Sequence, residues 1–190
     1  MALSLATISS SLLTTLPISG MMGEAIPPLA NGIAAGIVVW TRQVIISTRD
    51  TGKAGRGSGS VPLRIPLPTL LSGLLMGFKA KEMKGDTVPK LVLGIASGLA
   101  MAFAQGQIKT THPLVGVGTA KATFPHVSAV PSMISGFKSN NMKGAAAEMM
   151  AGAVGMGIDL AFARFTIPPI SIVGTHNGTS ASGGGTGKLA

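Results

Sequence analysis

The sequence predicts a mainly α protein with short β arms, an α+β fold made of three tandem repeats of helix, helix and extended glycine-rich arm. Three observations predict it. A helix-entry motif recurs along the chain; each copy opens an apolar helix rich in small residues; and each such helix runs out into β-branched residues followed by Gly, Ser and Thr. The repeats run 1–67, 68–129 and 130–190, the last ending in a Gly/Ser/Thr-rich arm.

The clearest copy of the motif is Met83–Leu99, MKGDTVPKLVLGIASGL. Gly85 ends whatever precedes it and Asp86 or Thr87 can cap. Pro89 falls in the first turn, where its missing N–H has no intrahelical partner to lose. Gly94 and Gly98 then lie one turn apart, on a face able to press its backbone against another helix. Met21–Ile37 is the same text altered: Met21, Gly23, Pro27, Leu29, Gly32, Ile33, Ala34 and Gly36 recur as Met83, Gly85, Pro89, Leu91, Gly94, Ile95, Ala96 and Gly98, and Glu24 answers Asp86. A third copy carries Gly136-Phe137-Lys138 for Gly77-Phe78-Lys79 and Met142-Lys143-Gly144 for Met83-Lys84-Gly85. It has drifted, with Glu148 in place of Pro89 and Ala153 in place of Gly94. A period of about 60 residues reads as one supersecondary unit, reused, that buries its apolar face on its neighbours.

Taken in order, Met1–Leu16 is apolar like a signal peptide but has no Lys or Arg before the apolar run, and is read as mature protein. Leu12, Leu13, Leu16 and Ile18 mark a short helix ahead of the first entry, as Leu70, Leu71, Leu74 and Leu75 do ahead of the second. In the third unit Pro131–Gly136 mirrors Pro68–Gly73, with about one helical turn missing before the Met-Lys-Gly. After each second helix comes a short strand pattern: Val44–Thr48, Gln107–Thr111 and Thr166–Thr175. Glycine-rich loops follow at Arg49–Ser60, Val115–Thr119 and His176–Ala190. Prolines are expected to confine these strands to edges, and neighbours to hold the last arm.

Charged residues are 11% of the chain, against about a quarter in an ordinary soluble domain, and mean hydropathy is +0.50. Such a surface suits either a bilayer or the interior of a large assembly. The net charge of +9 is scattered over loops and reads as solubility plus docking to acidic partners, ahead of nucleic acid or anionic lipid. With no Tyr and one Trp there is almost no platform for stacking bases, so nucleic acid is not expected. The absence of Cys removes disulfides and thiolate metal sites without fixing a compartment.

Several letter patterns imitate chemistry. Asp50-Thr51-Gly52 spells an aspartic-protease site, but Arg49 and Lys53 flank it and no partner carboxylate is evident. Gly187-Lys188 imitates a phosphate loop, with Leu189 where Ser or Thr should hold the metal. Gly55–Gly59 has no strand-to-helix context. His112, His126 and His176 are far apart and read as surface histidines before metal ligands. Glu24 and Asp86 sit at equivalent helix starts, where a negative charge favours the helix dipole. No nucleophile and base can be assembled, so no enzyme, cofactor, metal or small-molecule substrate is expected.

The glycine-spaced helices pose the sharper question. Ala25–Trp40 and Leu91–Ile108 are uncharged runs of sixteen and eighteen residues, close to the 17–25 or so of a membrane span. A membrane-embedded glycine-zipper oligomer, a pore or lysis protein, is therefore the alternative. Against it, the third copy carries Asp159 within the corresponding helix, flanked by Glu148 and Arg164, and a central Asp costs about 2.5–3.5 kcal/mol on insertion. Repeats of common origin should share one environment, so helices packed on protein are preferred.

The motif Pro-x-Leu-x-x-Gly-Ile-Ala-x-Gly, seen at Pro27–Gly36 and Pro89–Gly98 with a degraded copy at Ala151–Gly157, resembles Gly/Ala-rich repeat proteins of tailed-phage virions, especially small proteins around the tail and baseplate of contractile phages. The resemblance implies a non-enzymatic subunit of a ring, assembled in the host cytoplasm, whose partners are copies of itself and other virion proteins. Its tandem units would help reconcile the symmetries of adjoining rings, and its arms would add strands to neighbours. The expected helix-contact faces are Gly32 and Gly36, Gly94 and Gly98, Ala153 and Gly157, buried against copies or partners.

Overall fold

Six α-helices make the described protein mainly helical. The structure is a computed structural model that describes residues 4–43, 45–53, 56–62, 67–104, 107–112, 116–123, 128–163, 170–177 and 180–188. Helix α1 spans Leu5–Thr15, with Ser4 as N-cap accepting the Thr7 N–H at 3.1 Å, and a 3-10 turn over Leu16–Ser19 extends it. The others are α2 (Ile26–Gln43), α3 (Leu67–Ala80), α4 (Val88–Ala104), α5 (Ala129–Ser139) and α6 (Ala145–Ala163).

Helices α1 and α2, α3 and α4, and α5 and α6 form hairpins, and α5, at 11 residues against 14 for α3, is the shortened one. Packing passes from each helix to the next and returns from α6 to α1, closing a ring. Inside it Ile8, Leu12, Leu16, Ile33, Ile37, Leu70, Leu74, Ile95 and Leu99 are fully buried. At about 1.5–3 kcal/mol for each buried aliphatic side chain, this shared core is what holds hairpins that could not stand alone.

Between the helical pairs the backbone runs as strands: β1 (Ile45–Lys53), β2 (Arg56–Pro62), β3 (Gln107–His112), β4 (Gly116–Thr123), β5 (Ile170–Asn177) and β6 (Ser180–Lys188). All pair antiparallel in sequence order, and β1 also pairs with β6, from Ile45 opposite Lys188 to Lys53 opposite Ser180. The result is a closed six-stranded barrel.

Two expectations are corrected here. The stretches read as glycine-rich loops, Arg49–Ser60 and the tail from His176, lie largely in β1, β2, β5 and β6. Prolines were expected at strand edges, but a closed barrel has none, and Pro62 stands at the end of β2 opposite Gln107. These stretches lack the hydrophobic alternation by which a strand is read from sequence; by register, all the strand glycines except Gly184 fall on one face of the sheet.

Candidate functional site

The second and third of the turns that join the paired helices share one construction. In the second, Glu82 is left-handed (φ 55°), the Glu82 N–H donates to Lys79 O at 3.0 Å, and the Met83 N–H donates to Phe78 O at 3.2 Å. This is the Schellman arrangement, which satisfies the last carbonyls of a helix and tucks an apolar residue under its end. Asn141 (φ 61°) and Met142 repeat it, donating to Lys138 O and Phe137 O at 3.2 and 3.0 Å. Gly20 (φ 76°) holds the matching place in the first turn. Met21, Met83 and Met142 all pack on the core, which accounts for the methionine of the recurring Met-x-Gly.

The glycine of that motif, at Gly23, Gly85 and Gly144, has φ of 99°, 124° and 101°, a backbone few side chains tolerate. Helices α2 and α4 begin beyond Glu24 and Asp86, so these acids are turn residues, not first-turn residues of a helix. The carbonyls of Ala25 and Thr87 accept the first helical N–H groups, from Leu29 and Leu91. In the third turn Gly144 O accepts directly from Glu148 N–H, so the helix starts without a proline.

The small-residue faces lie between helices of the same chain. A Cβ on Gly36 would stand 2.6 Å from Leu74 Cα, and one on Gly98 would stand 2.7 Å from Met133 Cα. Gly32 and Gly94 adjoin Phe78 and Phe137, Gly157 faces Leu12 and Thr15, and Ala153 is fully buried. For the five glycines, the expected contact with copies or partners is therefore replaced by contacts of α2 with α3, α4 with α5, and α6 with α1. The facing glycines escaped the sequence reading. Gly73 and Gly77 on α3 approach the backbone of Gly36 and Gly32, and Gly136 on α5 approaches Gly94 and Gly98. Their spacing of one helical turn, at Gly73 and Gly77, was the available signal.

Polar links fix the register of the ring. Ser9 Oγ donates to Asn31 Oδ1 at 2.7 Å between α1 and α2, and Asn140 Nδ2 donates to Ser97 Oγ at 3.2 Å and Gly136 O at 2.8 Å. Asp159, read from sequence only as an obstacle to lipid, accepts from the Ala129 N–H at 2.7 Å and from Ser128 Oγ at 3.0 Å. Where α2, α4 and α6 approach the barrel, Trp40 stacks on Phe103 at 5.2 Å and Phe103 meets Phe162 at 4.9 Å. Trp40 Nε1 is buried there with no hydrogen-bond partner among the described residues.

The described residues among those singled out for chemistry lie in the strands, where by register Asp50, His112 and His176 fall on one face of the sheet, the two histidines at the ends of the line through Gly57, Gly52 and Ala181. Asp50 lies in β1 opposite Gly183, Lys188 in β6 opposite Ile45, His112 in β3 opposite Gly57, and His176 in β5 opposite Ala181. Gly57 and Gly59 are strand residues of β2, while Gly55 and His126 lie outside the described residues. No group of three or more potential metal-ligating side chains occurs among the described residues.

The outer surface of the helices has a distinct pattern. Their charged residues stand toward the helix ends: Lys79, Lys90, Lys138, Glu148 and Asp159. Elsewhere large apolar side chains are exposed, among them Leu75 and Met76 on α3 and Met149, Met156 and Leu160 on α6. At the turn end Ile18 is 69% and Met22 89% exposed. The chain matches no family model, no curated protein and no solved structure.

Proposed function

We propose that the protein is a non-enzymatic structural subunit of a tailed-phage virion, in the tail or baseplate, which buries its outer helix faces against other virion proteins or copies of itself in a ring. The carrying observation is the uncharged helical zone with exposed Leu75, Met76, Met149, Met156 and Leu160. A solvated helix face ordinarily carries charged side chains at such positions, and their replacement by Leu and Met suits a face that another protein covers. Because the glycine faces are occupied within the chain, neighbours would be met by these outer faces and by the outside of the barrel.

The three-repeat design of helix, helix and extended arm belongs to the same proposal. It is supported by the matching left-handed positions Gly20, Glu82 and Asn141 and by Gly23, Gly85 and Gly144. Three like units around a ring suit a subunit placed between rings of related symmetry.

One observation favours a second reading, a membrane-embedded helical oligomer: α6, Ala145–Ala163, is long and apolar enough to cross a bilayer. Against it, Glu148 and Asp159 confine its uncharged stretch to about 16 Å at 1.5 Å per residue, roughly half of a hydrocarbon core. Expression without other virion proteins separates the two. Recovery as a soluble or aggregating oligomer supports the subunit, and retention in carbonate-washed membranes overturns it.

A further inference from the structure

We infer that α1 is an exchangeable helix, filling the groove between α2 and α6 of its own chain or of a second copy, so that two copies meeting at their turn ends swap α1 and become a dimer. The partner is thus a copy of this chain, whichever assembly the subunit belongs to. What the groove accepts is fixed by the contacts made in it. Ile8, Leu12 and Leu16 are fully buried, Ser9 Oγ donates to Asn31 Oδ1 at 2.7 Å, and Leu12 and Thr15 face Gly157. A second copy carries the same helix. Exchange keeps each of these contacts and changes only which chain supplies it.

Three features set α1 apart. The first is its seam with α6. Where α2 meets α3 and α4 meets α5, both helices carry glycine, Gly36 beside Gly73 and Gly98 beside Gly136. Helix α1 has none. A Cβ on Gly157 would stand 3.1 Å from Leu12 Cα, against 2.6 Å from Gly36 to Leu74 Cα and 2.7 Å from Gly98 to Met133 Cα. The backbones of α1 and α6 are therefore less closely pressed, with less dispersion to lose on parting.

The second feature is the turn. Met83 and Met142 are tied by their N–H groups to Phe78 O and Phe137 O. In the first turn Gly20 N–H donates to Pro17 O at 3.0 Å, and among the described residues neither Met21 nor Met22 N–H makes a backbone bond. Drawn out, the nine residues from Pro17 to Ala25 reach about 30 Å, well beyond the length of α1, about 16 Å. That is ample for crossing into another copy.

The third is exposure in that same segment, where Ile18 is 69% and Met22 89% exposed. The strands join the hairpins at the opposite end, so two copies exchanging α1 meet turn to turn, and their crossing segments run side by side and cover these side chains. Glu24, Glu82 and Asp86 stand at this end with Lys81, Lys84 and Lys143, all exposed, so a twofold contact has opposite charges to pair. Return of α1 to its own groove competes with an effective concentration of about millimolar. The closed monomer therefore prevails in dilute solution, and exchange where copies are crowded.

The chain has no Cys, which makes the test simple. Full chains carrying Thr15→Cys alone and Gly157→Cys alone are incubated together at about millimolar concentration, in urea below the unfolding midpoint, and then oxidised. The two positions adjoin across the seam, within reach of a disulfide, and in this mixture the bond forms only between chains. The expected result on a non-reducing gel is about tenfold more heterodimer than from Ser10→Cys with Gly157→Cys, Ser10 being on the exposed side of α1. Incubation at about a hundredth of the concentration should bring the yield down to that of the control. Heterodimer no more abundant than in the control overturns the exchange. If circular dichroism shows the Gly157→Cys chain unfolded, Ser9→Cys with Asn31→Cys, joined by a short bismaleimide, replaces the pair and is judged against Ser10→Cys with Asn31→Cys. Failure of the subunit reading would show separately, as retention in washed membranes.

Discussion

Asp159, near the end of α6, holds the backbone N–H of Ala129, the first residue of α5, at 2.7 Å. Its second oxygen takes the Ser128 hydroxyl at 3.0 Å. A carboxylate from one helix thus serves the free N–H groups at the start of another, where the helix dipole also favours negative charge. Asp159→Ala should lower unfolding free energy by about 1–2 kcal/mol in urea denaturation, and Asp159→Asn by less. Equal stability of Asp159→Ala and wild type would remove the capping role.

Two glycines of α4 and α6 should respond in opposite directions. A methyl on Gly98 would meet the backbone of Met133, so Gly98→Ala should cost about 1–3 kcal/mol as overpacking, and Gly98→Leu more. A Cβ on Gly152 meets nothing within 4 Å, so Gly152→Ala should gain about 0.5–1 kcal/mol from helix propensity. Thermal unfolding of the two alanine variants tests the contact without reference to any partner.

Glu82 occupies a left-handed position that Gly20 fills in the first turn. Left-handed backbone costs a residue with a Cβ about 1–2 kcal/mol, so Glu82→Gly should raise the melting temperature despite the freedom it adds to the unfolded chain. Gly85→Ala, at φ 124°, should lower it. Both changes are read in the same thermal scan.

The buried indole of Trp40 contributes ring area but leaves its N–H without a partner among the described residues. Trp40→Phe removes the orphan donor and keeps an aromatic beside Phe103, so it should cost far less than Trp40→Ala, for which about 3–5 kcal/mol is expected. Similar losses from the two would point to a hydrogen bond the indole makes in solution.

The helix entries were legible because proline and glycine act locally: Pro27 and Pro89 mark first turns, and Gly23, Gly85 and Gly144 need positive φ wherever the rest of the chain lies. The closeness promised by Gly94 and Gly98 was legible too, but not the identity of what approaches. Whether that is a second copy or α5 depends on how the hairpins close, which no single helix encodes. The strands were read in part as loops because Ser180–Lys188, SASGGGTGK, has no hydrophobic alternation. Its pairing with β1 and β5 depends on segments far away in sequence, which a local pattern of small residues does not encode. The duty of Asp159 was invisible for a related reason, since it concerns a helix 30 residues away in sequence.

Closure of both rings by their first and last members, α1 against α6 and β1 against β6, sets a condition on synthesis. A nascent chain that has not yet released Ser180–Lys188 leaves the second edge of β1 unpaired, and one that stops before Gly157 leaves Leu12 and Thr15 without their cover. The earliest segments to leave the ribosome are thus the last to be satisfied, and the exposed stretch must be kept from other chains until translation has passed the final strand.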